Sequence, residues 1–305
     1  MSDLKTQGFE DQTRAVPRPA PAPAEAPNGT LAPRSPNGDL VPVDDLDTMS
    51  GAGLDNPRQE EMKPSFLYLL QTNSKVVNRG ADEYIEGAQA GCFLSTGSQT
   101  IYDGDAGVEF VPFAREMTFI EWVPIDDGGG FKGQYAPEDP FVTSKRNRSN
   151  QFKKIDTGQG TELVQTFALQ ALIGPPGFTL ENAEMVIIPF TSIKIRHYNE
   201  WYDAARRIRY PNSKGDLVNP DIYCHRWRLT AAFESKWKPN GAWNVRIALA
   251  GGPRAADSYM RAVDPLRQEA RKLFEMASAG QIKADFSAAE NEGTSRGDLE
   301  DEIPF

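Results

Sequence analysis

The stretch from Tyr223 to Gly252 constrains the fold most, because apolar and polar residues alternate on both sides of a turn signal. It reads "YCHRWRLTAAFESKWKPNGAWNVRIALAGG". An alternation with period two predicts strands that bury one face in the core and expose the other face to solvent. Odd-numbered positions such as Trp227, Phe233 and Trp243 supply the apolar face. The chain is therefore expected to contain a β-hairpin that packs one side against a core.

The loop of this hairpin must join the two strands in a register that puts their apolar side chains on the same face. A two-residue Asn-Gly turn would set tryptophans against cations. A three-residue loop, Pro239-Asn240-Gly241, pairs position 237 with 243 and 233 with 247, with Gly241 in the left-handed conformation. This register aligns Arg226, Arg228, Lys236 and Arg246 on the polar face. The sequence thus predicts a basic platform above buried tryptophans.

Other strand signals make the fold mainly β with helices, of the α+β class. The runs are "SFLYLLQT" at 65–72, "AGCFLSTGSQTIYD" at 90–103, "GVEFVPFAREMTFIEWVPI" at 107–125, "ELVQTFALQALIG" at 162–174 and "AEMVIIPF" at 183–190. The second run predicts two strands around a Gly-Ser turn, and the third is expected to break at Arg115 and Glu116. The glycine loop 128–130 lacks the Lys-Ser/Thr pair of a phosphate-binding loop and is expected to be a hairpin tip.

Two helices follow from apolar stripes with spacings of three and four. The first is expected to start at a Thr191 or Ser192 cap and to bury Tyr198, Trp201, Tyr202, Ala205 and Ile208. The second is capped by Asp264, opened by Pro265 and ended by Gly280, and its stripe contains Leu266, Ala270, Leu273, Phe274 and Ala277. Of the two histidines, His197 is expected on a helix surface and His225 on the buried side of the hairpin.

Charge is unevenly distributed along the chain, although the formal net charge is −10. Residues 1–60, 61–144 and 284–305 carry net charges of −5, −8 and −6, whereas residues 145–283 hold 22 basic and 13 acidic residues. A basic block flanked by acidic segments suggests a surface that binds a polyanion, together with an acidic tail.

Within the basic block, "KRNRSNQFKK" at 145–154 holds five cations, no acid and one aromatic ring. Arginines also cluster near the end of the first helix, where they can offset the helix dipole. Phosphate contacts from such cations would not depend on base sequence. Phe131 and Tyr135 are further candidates for base stacking, beside the rings in the main set. The candidate nucleic-acid-binding residues are Lys145, Arg146, Arg148, Phe152, Lys153, Lys154, Arg206, Arg207, Arg209, Tyr210, Tyr223, Arg226, Arg228, Lys236 and Arg246.

Composition divides the chain into three parts. Residues 1–61 are rich in proline and poor in aromatic residues, so they cannot bury enough surface to offset ordering entropy and are expected to be a disordered arm. Residues 62–283 form the predicted folded core, and residues 284–305 a disordered acidic tail. The chain has no long apolar span and no signal peptide, which predicts a soluble protein of the cytoplasm.

Cysteine usage argues against a metal or a disulfide as a structural staple. Cys92 and Cys224 are the only cysteines and lie far apart in sequence. They provide neither a disulfide framework nor the paired spacing of a zinc site. We therefore expect no metal site and no cofactor.

The last eight residues, "DLEDEIPF", end in a free carboxylate on an apolar ring behind an acidic cluster. This terminus resembles the C-terminal tip of bacterial single-stranded DNA-binding proteins, and phage members commonly end in acidic residues and Phe. The order of a strand-rich core, basic loops, a linker and an acidic tip is similar to that of the phage proteins. The resemblance implies an OB-fold-like β-barrel core, here elaborated, because the chain is larger than a minimal OB domain.

By the same resemblance, the tip docks into partner proteins of replication and recombination. The residues that carry this role are Asp301, Glu302, Ile303, Pro304 and Phe305. Phe305 can fill an apolar pocket whose basic rim binds the carboxylates. The expected function is sequence-independent binding of single-stranded DNA by a phage protein in the host cytoplasm, without catalysis and without a membrane. A homo-oligomer is compatible with this function.

Two alternatives from other classes remain open. Pro220, Asp221, Glu234 and Lys236 resemble the PD-(D/E)xK nuclease signature, in which the two carboxylates would hold Mg²⁺ and the lysine would orient water. A virion or scaffolding protein would also explain the long arm and the β content. That alternative gives no account of the charge division or of the tip.

Overall fold

The computed structural model describes residues 65–124, 130–146, 154–236 and 241–287. The structure is mixed α+β, with much more sheet than helix. The arm expected at 1–61 and the tail from residue 288 onward lie outside the described residues. The strands are β1 (Ser65–Leu69), β2 (Phe93–Ser95), β3 (Ile101–Tyr102), β4 (Val108–Trp122), β5 (Phe131–Tyr135), β6 (Lys154–Asp156), β7 (Glu162–Gly174), β8 (Glu184–Thr191), β9 (Tyr210–Pro211), β10 (Leu217–Val218), β11 (Trp227–Glu234) and β12 (Ala242–Leu249). The helices are α1 (Pro140–Arg146), α2 (Lys194–Arg207), α3 (Ala255–Ser258) and α4 (Pro265–Ser278).

Ten of the strands form one curled half-barrel sheet. Its main path is β12-β11-β4-β7-β8-β1-β2-β3, while β5 pairs with β4 and β6 pairs with β7. Strands β9 and β10 form a separate two-stranded hairpin. Most neighbours in the large sheet are antiparallel, and β1 runs parallel to β8.

The two faces of this sheet are covered by different helices. Leu169, Ala171 and Ile173 of β7 pack with Tyr198 and Trp201 of α2. Their neighbour Leu172 packs with Leu266, Ala270 and Leu273 of α4. Because successive residues of a strand point to opposite faces, α2 and α4 lie on opposite sides of the sheet. We call these sides the α2 face and the α4 face.

Strand β4 is continuous, so the expected break at Arg115 and Glu116 is wrong. It pairs with β7 along nearly its whole length, and the register shifts between Pro112 and Ala114. A β-bulge of this kind moves the following residues to the other face without ending the strand. After the bulge, Arg115 and Phe119 share the α2 face.

The hairpin β11-β12 keeps the predicted faces but has a different register. Phe233 pairs with Trp243 instead of Ile247, so the connection is longer than three residues. Gly241 has a φ of 76°, as predicted. Trp227, Leu229 and Val245 are buried, whereas Phe233, expected in the core, is 51% exposed because this pairing places it beside the loop. Trp237, Pro239 and Asn240 lie outside the described residues.

The two long helices differ in how well their starts were predicted. In α4, the Asp264 carboxylate accepts a hydrogen bond from Leu266 N at 3.0 Å, and Pro265 occupies the first turn, as predicted. In α2, neither Thr191 nor Ser192 caps the helix. Thr191 ends β8, and Ile193 precedes the helix without a side-chain cap.

The folded region continues past Lys283. Ala284 and Phe286 are buried in a cluster with Phe66 and Tyr68 of β1. The side-chain amide of Gln134 donates to the Ala284 carbonyl oxygen at 2.8 Å. Burial of these residues places the end of the core beyond the boundary that composition suggested.

Candidate functional site

Two cations at the end of α1 lie beside aromatic rings. The guanidinium of Arg146 is 5.2 Å from the centroid of the Phe119 ring, and Lys145 Nζ is 5.8 Å from that of Phe141. Lys145 also donates a hydrogen bond to the Thr157 carbonyl oxygen. Their position in the last turn favours the helix through its dipole. Among the predicted residues that follow α1, Arg148, Phe152 and Lys153 lie outside the described residues, and Lys154 begins β6.

A second group of cations surrounds Tyr202 of α2. The guanidinium carbon of Arg115 is 4.3 Å from the centroid of the Tyr202 ring, and its Nη2 donates to the tyrosine oxygen at 3.0 Å. The Arg206 guanidinium lies 5.5 Å from the same centroid. Arg207 and Arg209 are exposed near the end of the helix. Tyr202 therefore holds two guanidinium groups at the edge of the α2 face.

These groups define one surface of the half-barrel, which we call the cation–ring strip: Arg115, Phe119, Arg146, Tyr202 and Arg206. Arg115 and Phe119 stand on the same strand face four residues apart, or about 13 Å at ~3.3 Å per residue. Within the described part of the chain, no carboxylate lies within 4.0 Å of the three guanidinium groups. A cation held by a ring keeps its full charge, so the strip is a positive surface.

The predicted basic platform on the hairpin is divided and largely paired with acids. Arg228 Nη2 lies 2.7 Å from Glu109 Oε1, and Lys236 Nζ lies 3.0 Å from Glu234 Oε2. Arg226 Nη2 is 3.9 Å from Asp264, and its Nη1 donates to the Phe178 carbonyl oxygen. Of the four, only Arg246 is exposed without a described ion pair.

Arg226 also lies on the opposite side of the sheet from the cation–ring strip. Its guanidinium is 5.4 Å from the ring centroid of Phe178, which packs in the α4 cluster. Arg115 instead contacts α2. The fifteen candidate residues therefore do not form one surface, and the hairpin cations are not part of the strip.

The predicted stacking rings are mostly part of the packed fold. Tyr223 is only 7% exposed and its hydroxyl donates to Asp221, so it cannot receive a base as predicted. Burial, together with Asp221, raises the pKa of Tyr223 to about 12. Tyr135 donates to Glu121, and Phe131 packs edge-on against Trp122. Tyr210 is half-buried and stacks on His225.

A buried carboxylate, Glu121, lies near the end of β4. Glu121 accepts hydrogen bonds from Thr161 Oγ1 at 2.5 Å and Tyr135 Oη at 2.8 Å, and Lys132 Nζ lies 3.3 Å away. Burial acts to raise the pKa of Glu121, but these three donors outweigh it and lower the pKa below its ordinary value. The ionised carboxylate thus joins β4, β5 and the turn before β7.

The residues of the proposed nuclease signature are not brought together. Asp221 precedes β11, and Glu234 ends it, so the strand of about 23 Å from Trp227 to Glu234 separates them at ~3.3 Å per residue. Glu234 instead pairs with Lys236 and lies 3.8 Å from His197 Nε2. Within the described residues, no group of three His, Cys, Asp or Glu side chains could hold a metal ion.

Both histidines are buried, which corrects the surface position expected for His197. His197 is 8% exposed and contacts Glu200 through Nδ1 at 3.1 Å. His225 is 3% exposed, and its Nδ1 lies 2.9 Å from Ser258 Oγ. Burial, aided by the nearby Arg267 cation, lowers the pKa of His225 to about 4. The imidazole is therefore neutral at pH 7 and adds no charge to the surface.

Sequence reasoning missed Arg115 and Tyr202. The sequence pattern predicts a strand break at Arg115 and places Tyr202 in the core stripe of α2. A single cation inside an otherwise apolar strand run was the available signal, because such a side chain needs either solvent or a partner. Their contact spans 87 residues of chain, which local patterns do not reveal.

Comparison of the sequence with models of known protein families gives a match. A family model described as "Pam3 phage gp34-like protein" matches residues 37–283. The chain belongs to the Pam3 phage gp34-like protein family. The matched region contains the whole cation–ring strip and ends before the acidic tail. Comparisons of this Pam3 phage gp34-like chain with curated proteins and with solved structures found no match. No helix among its described residues is long and apolar enough to cross a membrane.

Proposed function

We propose that the chain binds single-stranded DNA without base-sequence preference, as part of phage DNA replication or recombination. The observation that carries the proposal is the cation–ring strip, where Arg115, Arg146 and Arg206 lie against aromatic rings and have no described carboxylate within 4.0 Å. Membership in a phage family is compatible with this role.

The strip has the physical properties that a phosphate backbone requires. Guanidinium groups bind phosphate by charge-assisted hydrogen bonds and release condensed counterions when they do so. Their planar faces and the partly exposed ring of Tyr202 can also stack on bases of any identity, whereas Phe119 is fully buried and only holds Arg146 in place. In this proposal the edge of the α2 face, where the strip lies, acts as an OB-like binding surface for the strand, because α2 covers the centre of that face.

The acidic tip has a separate role in the proposal. Asp301, Glu302, Ile303, Pro304 and Phe305 dock into an apolar pocket with a basic rim on a partner protein. This role rests on the resemblance of "DLEDEIPF" to the tips of single-stranded DNA-binding proteins. Removal of residues 298–305 should abolish partner binding while DNA binding stays the same or becomes stronger. Weaker DNA binding by the truncated chain would contradict this division of roles.

Salt dependence of binding tests the strip directly. Fluorescence anisotropy of a labelled oligothymidine is measured against salt concentration for the full chain and for Arg115→Ala, Arg146→Ala and Arg206→Ala. Each arginine that binds a phosphate contributes about 0.7 to the magnitude of the slope of log K against log salt, so each variant should show a slope shallower by that amount. Arg271→Ala is the matched control, because Arg271 is exposed and paired with Glu275 at 2.9 Å.

The outcomes separate the alternatives. Failure of the full chain to bind oligothymidine, or equal slopes for all variants, would overturn the proposal. Tighter binding to duplex than to single strands would change the substrate class. Mg²⁺-dependent cleavage of the labelled strand, lost in Glu234→Ala, would support the nuclease alternative. No binding to any nucleic acid would leave a virion or scaffolding role as the better hypothesis.

A further inference from the structure

We propose that Tyr259 is a second base-stacking platform, which extends the DNA path beyond the end of α2. This inference rests on the proposed function. Tyr259 follows α3 and is 40% exposed, although aromatic rings contact it on the protein side. The Tyr210 centroid is 5.1 Å away and the His225 centroid 5.6 Å away. The ring is thus held in place and still open to solvent.

Cations surround this ring. The Arg267 guanidinium lies 5.4 Å from the Tyr259 centroid, and its Nη1 donates to the tyrosine oxygen at 3.0 Å. Two exposed arginines lie close by in sequence. Arg209 precedes Tyr210, which contacts the Tyr259 ring, and Arg261 follows Met260, whose carbonyl oxygen accepts a hydrogen bond from Arg267. None of these three arginines has a carboxylate within 4.0 Å in the described ranges. Phosphates on either side of a stacked base would find the exposed guanidinium groups of Arg209 and Arg261 here, while Arg267, whose Nη1 is bonded to Tyr259 and Met260, holds the ring and adds positive charge.

Two buried polar atoms in the same group lack a partner. Tyr210 Oη and His225 Nε2 are inaccessible and make no hydrogen bond within the described structure. Their rings are nearly parallel, with an interplanar angle of 15° and centroids 5.8 Å apart. Buried polar groups are nearly always hydrogen-bonded, to protein, water or ligand. Because both atoms are inaccessible, a base on the exposed side of Tyr259 would not reach them, and the stacked pair of rings instead supports Tyr259 from the protein side.

A chain of ring contacts connects this platform to the cation–ring strip. The order is Tyr202, Trp201, Trp227, His225, Tyr210 and Tyr259, and neighbouring centroids lie between 5.1 and 6.5 Å apart. Packed rings of this kind fix the distance between the two exposed ends. One DNA strand can therefore contact Tyr202 with its arginines at one end and Tyr259 with Arg267 at the other.

Photocrosslinking and affinity test the platform. The full chain is irradiated with an oligonucleotide that contains 5-bromodeoxyuridine, and crosslinked peptides are identified by mass spectrometry. A crosslink at Tyr259 is expected. Tyr259→Ala should weaken oligothymidine binding by roughly 5- to 150-fold, the range for removal of one base–aromatic stack. Tyr259→Phe should bind like the natural chain, because the ring carries the contact.

Phe274→Ala is the matched control, since Phe274 is also 40% exposed but packs on Tyr223 in the α4 cluster. It should leave affinity unchanged. If the natural chain binds DNA but shows no crosslink at Tyr259, and Tyr259→Ala binds normally, this inference alone is overturned. If the natural chain binds no DNA, the proposed function fails as well. Should Tyr259→Ala fail to fold, the crosslink on the natural chain decides.

Discussion

Lowering the pH is expected to destabilise the fold through His225. Its pKa is about 4 in the folded chain and 6.5 as an unperturbed group. The unfolded chain therefore binds a proton that the folded chain does not, and stability present above pH 6.5 is lost as the pH falls toward 4. The full loss is about 3 kcal/mol, because each pKa unit corresponds to ~1.4 kcal/mol, and the loss at pH 5 is about 2 kcal/mol.

The physical cause is the group of residues around the ring. Tyr210 stacks on His225, Tyr259 contacts it edge-on, and Arg267 adds a repulsive positive charge. Protonation would place a second cation in this buried position, so the folded state resists it. His225→Phe keeps a flat ring in the stack and removes the titration.

Urea unfolding between about pH 4.5 and pH 7.5 measures the effect. The natural chain should lose about 2 kcal/mol more than His225→Phe between pH 7 and pH 5. Removal of the Ser258 hydrogen bond in the variant lowers stability at every pH and leaves this difference intact. All other titratable groups are the same in both proteins, so their contributions cancel. Parallel stability curves for the two proteins would refute the reasoning.

Three further predictions concern the stability of the fold. Trp201→Ala should lower the free energy of unfolding by about 3–5 kcal/mol, because the ring is 2% exposed and contacts Tyr198 and Trp227. Urea unfolding should show a lower midpoint with an unchanged slope. Asp264→Ala should cost about 1 kcal/mol because it removes the α4 cap, whereas Asp264→Asn should keep most of it, as a thermal melt would show. Gly104→Ala should lower the free energy of unfolding by at least about 1–3 kcal/mol, because a Cβ there would overlap the Gly91 carbonyl oxygen. Gly158→Ala has open space around the new Cβ, so it should lower the free energy of unfolding only by the backbone strain of its φ of 71°. Equal midpoints for these two glycine variants would contradict the packing argument.

Local signals predicted the elements whose causes are local. The start of α4 follows from Asp264 and Pro265, and β7 and β8 follow from apolar runs, because caps and periodicity act within a few residues. The faces of the hairpin were also predictable from alternation. Its register was not, since a shift of two residues on each strand preserves every face. The length of the connection then decides the pairing.

Contacts between distant residues explain the errors at the candidate site. The Arg228–Glu109 pair joins residues 119 positions apart, and the Arg115–Tyr202 contact joins β4 to α2. No short window along the chain contains both members of either pair. Burial of Tyr223 and His197 likewise depends on which element packs above them. Sequence patterns therefore indicated the cations and the rings, and the sheet order decided which of them meet.

Residues 145–283 contain more cations than are available to bind a polyanion. Arg228 and Lys236 already contact carboxylates, so a phosphate that binds them must compete with an existing partner. Arg146, Arg206 and Arg267 are held by aromatic rings, which fix the side chain without neutralising it. Such a group has its charge available and has already given up part of its rotamer freedom. Contact with an aromatic ring is therefore a better guide to a phosphate-binding cation than the number of basic residues in a segment. In this structure such cations lie in the cation–ring strip and around Tyr259.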